Sequence, residues 1–140
     1  MPGTITGTIE RFEVGGRPSA KIILTCTADA DAASYPATVI NTLENIAKYD
    51  IRGMFLSEVK TIPGSTGPTD DTDFTITDEY GVDILGSRGT NAIDNATKNH
   101  IVAGVASNYQ PALITGNLTL TITNNSVKSA VVTIVLNLIG

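Results

Sequence analysis

GNLTLTITNNSVKSAVVTIVLNLI, residues 116–139, is the stretch on which the fold turns. Leu118, Leu120 and Ile122 alternate with Thr119, Thr121 and Thr123, the two-residue period of a strand with one dry face and one wet face. Asn124-Asn125-Ser126 turns the chain, because these side chains hydrogen-bond nearby backbone and Asn tolerates left-handed conformations. The strand that follows, Ser129 to Ile139, is apolar on both faces. Val132, Ile134, Leu136 and Leu138 lie on one face, Val131 and Val135 on the other. Such a strand is either central in a sandwich or covered by another subunit. Val131, Val135, Asn137 and Ile139, on the second face, are therefore the candidate interface residues.

The same signature recurs toward the N-terminus. A strand is expected from Thr4 to Glu13, with Ile5, Gly7 and Ile9 on one side and Thr6, Thr8 and Glu10 on the other. Gly15-Gly16 makes a turn and a second strand spans Ala20 to Ala28, which together read as a β-hairpin. Further strands are expected over Gly53 to Ile62, closed by Pro63-Gly64, and over Phe74 to Thr77. The tight turn Asp78-Glu79-Tyr80-Gly81 leads to an answering strand, Val82 to Leu85.

One segment departs from the pattern. Val39, Ile40, Leu43, Ile46 and Ala47 follow helical spacing, with Ser34 as N-cap and Pro36 near the first turn. A short helix is expected over about residues 36–49, although Thr38, Val39 and Ile40 leave a strand open. The polar stretch 91–99 suits one or two further helical turns. The expected fold is a single domain over residues 1–140. It is mainly β, an antiparallel β-sandwich or β-barrel carrying those helical pieces.

Bulk properties narrow the function. Thr occurs 20 times in the 140 residues, and only 16% of residues are charged, against about 25% in an average domain. Two explanations compete: a surface hidden by oligomerisation or a partner, or strand faces that carry Thr, Asn and Ser instead of charges. The net charge is −5 and the nine basic residues are scattered, so nothing tracks a phosphate backbone; no nucleic-acid partner is expected. The longest apolar run, Ala130 to Leu138, is broken by Thr133 and Asn137, so no membrane span is expected. Met1-Pro2-Gly3-Thr4 has neither the basic start nor the apolar core of a signal peptide. One cysteine, Cys26, cannot build an internal disulfide framework and fits a reducing cytoplasm.

The search for catalytic groups returns little. His100, the single histidine, sits in Lys98-Asn99-His100-Ile101-Val102 without the setting of a catalytic triad. Cys26 lies beside Ile22 and Leu24 on an apolar strand face and reads as a small buried hydrophobe. One Cys and one His do not make a zinc site. Six of the 14 acidic residues fall within residues 70–83: Asp70, Asp71, Asp73, Asp78, Glu79 and Asp83. Asp70, Asp71 and Asp73 are weak candidates for a calcium site, since calcium takes loop carboxylates. Their spacing is not that of an EF-hand, and turn-forming carboxylates are the plainer reading. No Trp and only seven other aromatic residues argue against a sugar-processing cleft. Gly86-Ser87-Arg88-Gly89 lacks the Lys-Ser/Thr ending and the spacing of a phosphate-binding loop. No cofactor is expected, and the chain reads as one that binds rather than reacts.

Two stretches together resemble a known group. Pro63-Gly64-Ser65-Thr66-Gly67-Pro68-Thr69-Asp70-Asp71-Thr72-Asp73-Phe74-Thr75-Ile76-Thr77-Asp78-Glu79-Tyr80-Gly81-Val82-Asp83-Ile84-Leu85-Gly86 resembles the PGxxxPTDxYDxTLxDxxGVDVLxG segment of small structural, decoration-type proteins of tailed bacteriophages. Residues 116–126 and the strand after them are similar to the C-terminal half of the same group. Phe74 and Arg88 depart from its pattern. The resemblance implies a virion structural protein made in the host bacterial cytoplasm, most simply a decoration or cement protein bound to the major capsid protein. It also implies a homo-oligomer, a trimer by preference, and carries no catalytic residues. The alternatives are a tail or head–tail joining protein, or a carbohydrate- or cell-surface-binding module.

Overall fold

Gly15 and Gly16 hold φ angles of 58° and 78°. Two consecutive positive φ values are what a two-residue hairpin turn matched to strand twist requires. The turn joins β1 (Thr4–Val14) to β2 (Arg17–Thr27), with Val14 opposite Arg17 and Thr4 opposite Thr27. The computed structural model describes residues 1–105 and 108–140. The later strands are β3 (Thr38–Val39), β4 (Phe55–Pro63), β5 (Asp73–Thr77), β6 (Asn99–Val102) and β7 (Gly104–Val105). They are followed by β8 (Asn108–Tyr109), β9 (Ala112–Leu113), β10 (Thr119–Thr123) and β11 (Val131–Ile139).

A six-stranded sheet runs β1-β2-β11-β4-β6, with β9 also bonded to β4. A three-stranded sheet runs β3-β10-β5, and β7 and β8 form a small ribbon. Every strand pairing among the described residues is antiparallel. The expectation of a mainly β, antiparallel chain holds. The large sheet is open at β1 and β6 rather than closed into a barrel, so the architecture is sandwich-like.

Period-two patterning builds the core. Ile22, Leu24 and Cys26 of β2, with Val132, Ile134, Leu136 and Leu138 of β11, are nearly inaccessible to solvent. They join Phe74 and Ile76 of β5 and Leu120 and Ile122 of β10 in one continuous cluster. Gly7 is small for a packing reason: a Cβ there would stand 2.8 Å from Ile46 Cδ1 and 2.9 Å from Leu24 Cδ2.

Residues 36–49 are not a helix. Thr38 and Val39 pair with β10, Ile40–Thr42 form one 3-10 turn, and Leu43 then takes extended angles (φ −62°, ψ 139°). Bonds from Leu43 N to Ile40 O, Ile46 N to Leu43 O and Tyr49 N to Ile46 O make a chain of tight turns. Three-residue turns place Ile40, Leu43 and Ile46 on one side, as a helix would, which explains the misleading spacing. Asn41 reinforces the non-helical path, its Oδ1 accepting from Leu118 N at 2.8 Å. Nor is there a helical turn over 91–99: Ile93 bridges Thr72 instead, and Asn99 begins β6. Val82 to Leu85 is likewise not a strand but a turn region that touches β5 through the Thr77–Asp83 bridge.

Candidate interaction surface

The inner face of the large sheet is filled by the core; its outer face is open. Val131, Val135, Asn137 and Ile139 all lie on that outer face, half-buried in the central strand β11. Register carries the same side across the sheet. Phe12 pairs with Ser19, Ser19 with Ile139, Ile139 with Phe55, and Phe55 with Leu113. One row thus crosses β1, β2, β11, β4 and β9 and is apolar except for Ser19. Its large members remain accessible: Phe12 is 46% exposed, Phe55 36% and Leu113 49%.

A bulge makes the row possible. Asn137 pairs with Glu58, but the next residue, Leu138, pairs with Leu56, so Ser57 is the extra residue of β4. Without it, Phe55 would share the inward face of Val59; with it, Phe55 turns outward while Leu56 stays in the core. Between Phe12 and Ile139, the small Ser19 side chain floors a shallow depression of about 330 Å³.

The neighbouring row is polar up to Val102 at its end. Glu10 pairs with Lys21, Lys21 with Asn137, Asn137 with Glu58, and Glu58 with Val102. Lys21 Nζ lies 3.2 Å from Glu10 Oε2. Asn137 Nδ2 donates to Glu58 Oε1 at 2.8 Å, and His100 Nε2 is 2.7 Å from Glu58 Oε2. Partial burial raises the Glu58 pKa, but the His100 hydrogen bond and charge, Lys60 and Asn137 outweigh it, so the net shift is downward. An apolar strip edged by satisfied polar groups is the anatomy of a protein interface.

Phe12, Phe55 and Leu113 escaped the sequence reading. A signal for Phe12 was present: it is an aromatic residue in the Thr6, Thr8, Glu10 phase of β1, opposite the buried phase. Phe55 had no such signal, because its direction depends on the bulge.

The acidic segment is organised differently. Asp70 Oδ1 accepts from Asn95 N at 2.7 Å, and Asp73 Oδ1 from Asn91 N at 2.7 Å. Asp71 N donates to Asp94 Oδ1 at 3.2 Å. Asp83 accepts from Ile76 N at 3.3 Å, Leu85 N at 3.1 Å and Ser87 N at 2.9 Å. Asp78 accepts from Tyr80 N and Val82 N. Among the described residues, no three His, Cys, Asp or Glu side chains gather as metal ligands do. The Asp70 and Asp73 carboxylates brace the loops, whereas Asp71 takes part through its backbone N–H.

Cys26 is fully buried, and desolvation pushes its thiol up to about 12, far from reactive thiolate character. His100 lies on β6 with Glu58 as its polar partner. An open depression of about 590 Å³ is lined by residues including Asn41, Tyr49, Asp50, Arg52, Glu79 and Thr115. Several of these already satisfy one another, Arg52 with Asp50 at 2.7 Å and Thr115 with Glu79 at 2.8 Å.

No family model and no curated protein matches the chain. A solved chain described as cyanophage Pam1 capsid asymmetric unit aligns with 98% of this chain and 84% of its own length. The identity is 10% and the TM-score 0.37, a likeness too loose to carry an argument. No helix among the described residues is long and apolar enough to cross a membrane.

Proposed function

We propose that this chain is a structural protein of a tailed-phage particle, a decoration protein that binds the major capsid protein through the outer face of its large sheet. The observation that carries the reading is the cross-strand row Phe12–Ser19–Ile139–Phe55–Leu113: large apolar groups aligned in register and left uncovered. Its size and polar border suit burial against another protein. The 63–86 and 116–126 segments supply the phage context by resemblance. In this role the protein catalyses nothing and needs no cofactor; stability and a shaped face suffice.

Quantitative mass spectrometry of purified particles, with cryo-electron microscopy, tests the proposal. The expected result is the chain on the head at a copy number comparable to the capsid protein. Its absence from particles overturns the virion reading. Rings of the protein at the neck or along the tail would replace the head assignment with a head–tail joining or tail role.

A further inference from the structure

β1 is one edge of the large sheet and, among the described residues, bonds only to β2. The two-residue turn makes Val14 and Arg17 a mutually hydrogen-bonded pair, so the even-numbered residues of β1 bond to β2. The odd-numbered residues, Ile5 to Glu13, therefore point their N–H and C=O groups away from the sheet. Asn45 agrees with this: its Nδ2 reaches Gly7 O at 3.5 Å from the open side. Asn45 thereby covers the edge at Gly7, leaving the backbone of Ile9, Arg11 and Glu13 as a template for another strand.

We infer that this edge pairs with β1 of a second copy, antiparallel, about a two-fold axis at Phe12. Charge pairing selects the register. Outward-pointing residues must face outward-pointing residues, so a two-fold axis falls on a residue rather than between two. An axis at Glu10, Arg11 or Glu13 sets like charges opposite each other, Glu on Glu or Arg on Arg, which destabilises a pair. An axis at Ile9 places Arg11 opposite Gly7, where Asn45 already sits. An axis at Phe12 instead places Arg11 opposite the second copy's Glu13 and Glu13 opposite its Arg11. Two opposite-charge pairs form on one face, and the two Phe12 rings meet on the other.

The side chains are placed for it. Arg11 lies over the Tyr49 ring, 4.9 Å from its centroid, beside the open edge. Arg11, Phe12 and Glu13 are all exposed, and so are Gly15 and Gly16 at the hairpin tip. Pairing at Phe12 would join the rows of two copies end to end, broken only by Ser19 in each. The inference concerns the isolated chain and stands whether or not the protein belongs to a phage head. It also predicts a two-fold pair where the family resemblance implies a trimer.

Native mass measurement of the full chain, with an engineered cross-link, tests it. The expected mass is that of a dimer. Phe12 falls at a non-hydrogen-bonded pair, where Cα atoms are about 4.5 Å apart, a span a disulfide accepts. Phe12→Cys should therefore form a cross-linked dimer on mild oxidation, while Thr8→Cys should not; Cys26, buried, does not compete. Arg11→Glu and Glu13→Arg should each weaken dimerisation about tenfold or more, and combining them should restore it, since opposite charges face again. A monomer at the highest soluble concentration overturns the inference. So does a trimer in which Phe12→Cys forms no cross-link, or a double variant no better than the singles.

Discussion

The outer face of the large sheet and the loops around β5 use their polar atoms in opposite ways. In the loops, Asp70, Asp73, Asp78 and Asp83 accept hydrogen bonds from backbone N–H groups that have no strand ladder to enter. Inside the sheet, away from its β1 edge, the ladder satisfies the backbone, so side chains are free to present a surface. The acidic segment therefore looks like a site in the sequence and serves as scaffold. The strand that looks like core presents one of its faces to the outside. Dense carboxylates in a loop without a second charged element reflect the needs of the backbone as readily as chemistry.

Several measurements would break or sharpen this contrast. The largest effect is expected within β11. Leu136→Ala removes a side chain with no solvent exposure and should cost about 2–5 kcal/mol in chemical denaturation. Val135→Ala, on the opposite face of the same strand, should cost about 1 kcal/mol or less. A comparable loss at both positions would mean that the outer face is part of the core.

Asp83→Ala comes next. It strands the N–H groups of Ile76, Leu85 and Ser87, and a loss of about 1–3 kcal/mol is expected, tempered by water at this half-exposed position. Asp83→Asn, which keeps an accepting oxygen, should recover part of it. Leu113→Ser should change the unfolding free energy by about 1 kcal/mol or less, because the side chain is half exposed already.

Smaller still is the pH term at Glu58. Its pKa is lowered in the folded chain, so its stabilising contribution is present above the ordinary glutamate range. That contribution is lost as pH falls through the lowered folded value. Exposure of His100 and Lys60 keeps it to about 1 kcal/mol or less, and Glu58→Gln should remove that part of the acid dependence. At the bottom of the scale, calcium should leave the melting temperature unchanged, since one carboxylate oxygen each of Asp70 and Asp73 already accepts a backbone N–H. A rise on adding calcium would support the metal reading of that loop.

Much of the sheet was legible because period-two patterning is a local signal. The hairpin through Gly15-Gly16, and the strands at 118–123 and 131–139, could be read directly. The 36–49 segment could not: apolar residues three apart serve a run of tight turns as well as a helix, and the deciding contact, Asn41 to Leu118, spans 77 positions. The candidate interaction surface was half legible. Alternation in β11 exposed Val131, Val135, Asn137 and Ile139, whereas Phe55 faces outward only because Ser57 bulges from a pairing no local pattern encodes.

The most direct test of the central claim is the incorporation of a Phe55→Ser/Leu113→Ser double variant into particles beside the unaltered chain. Circular dichroism and a cooperative unfolding transition would first establish that the variant is folded. The account predicts a folded protein that is largely lost from purified particles, its copy number falling at least about tenfold, as expected when two large apolar anchors are removed. Incorporation at the unaltered copy number would show that the outer face of the large sheet is not the surface by which this protein assembles.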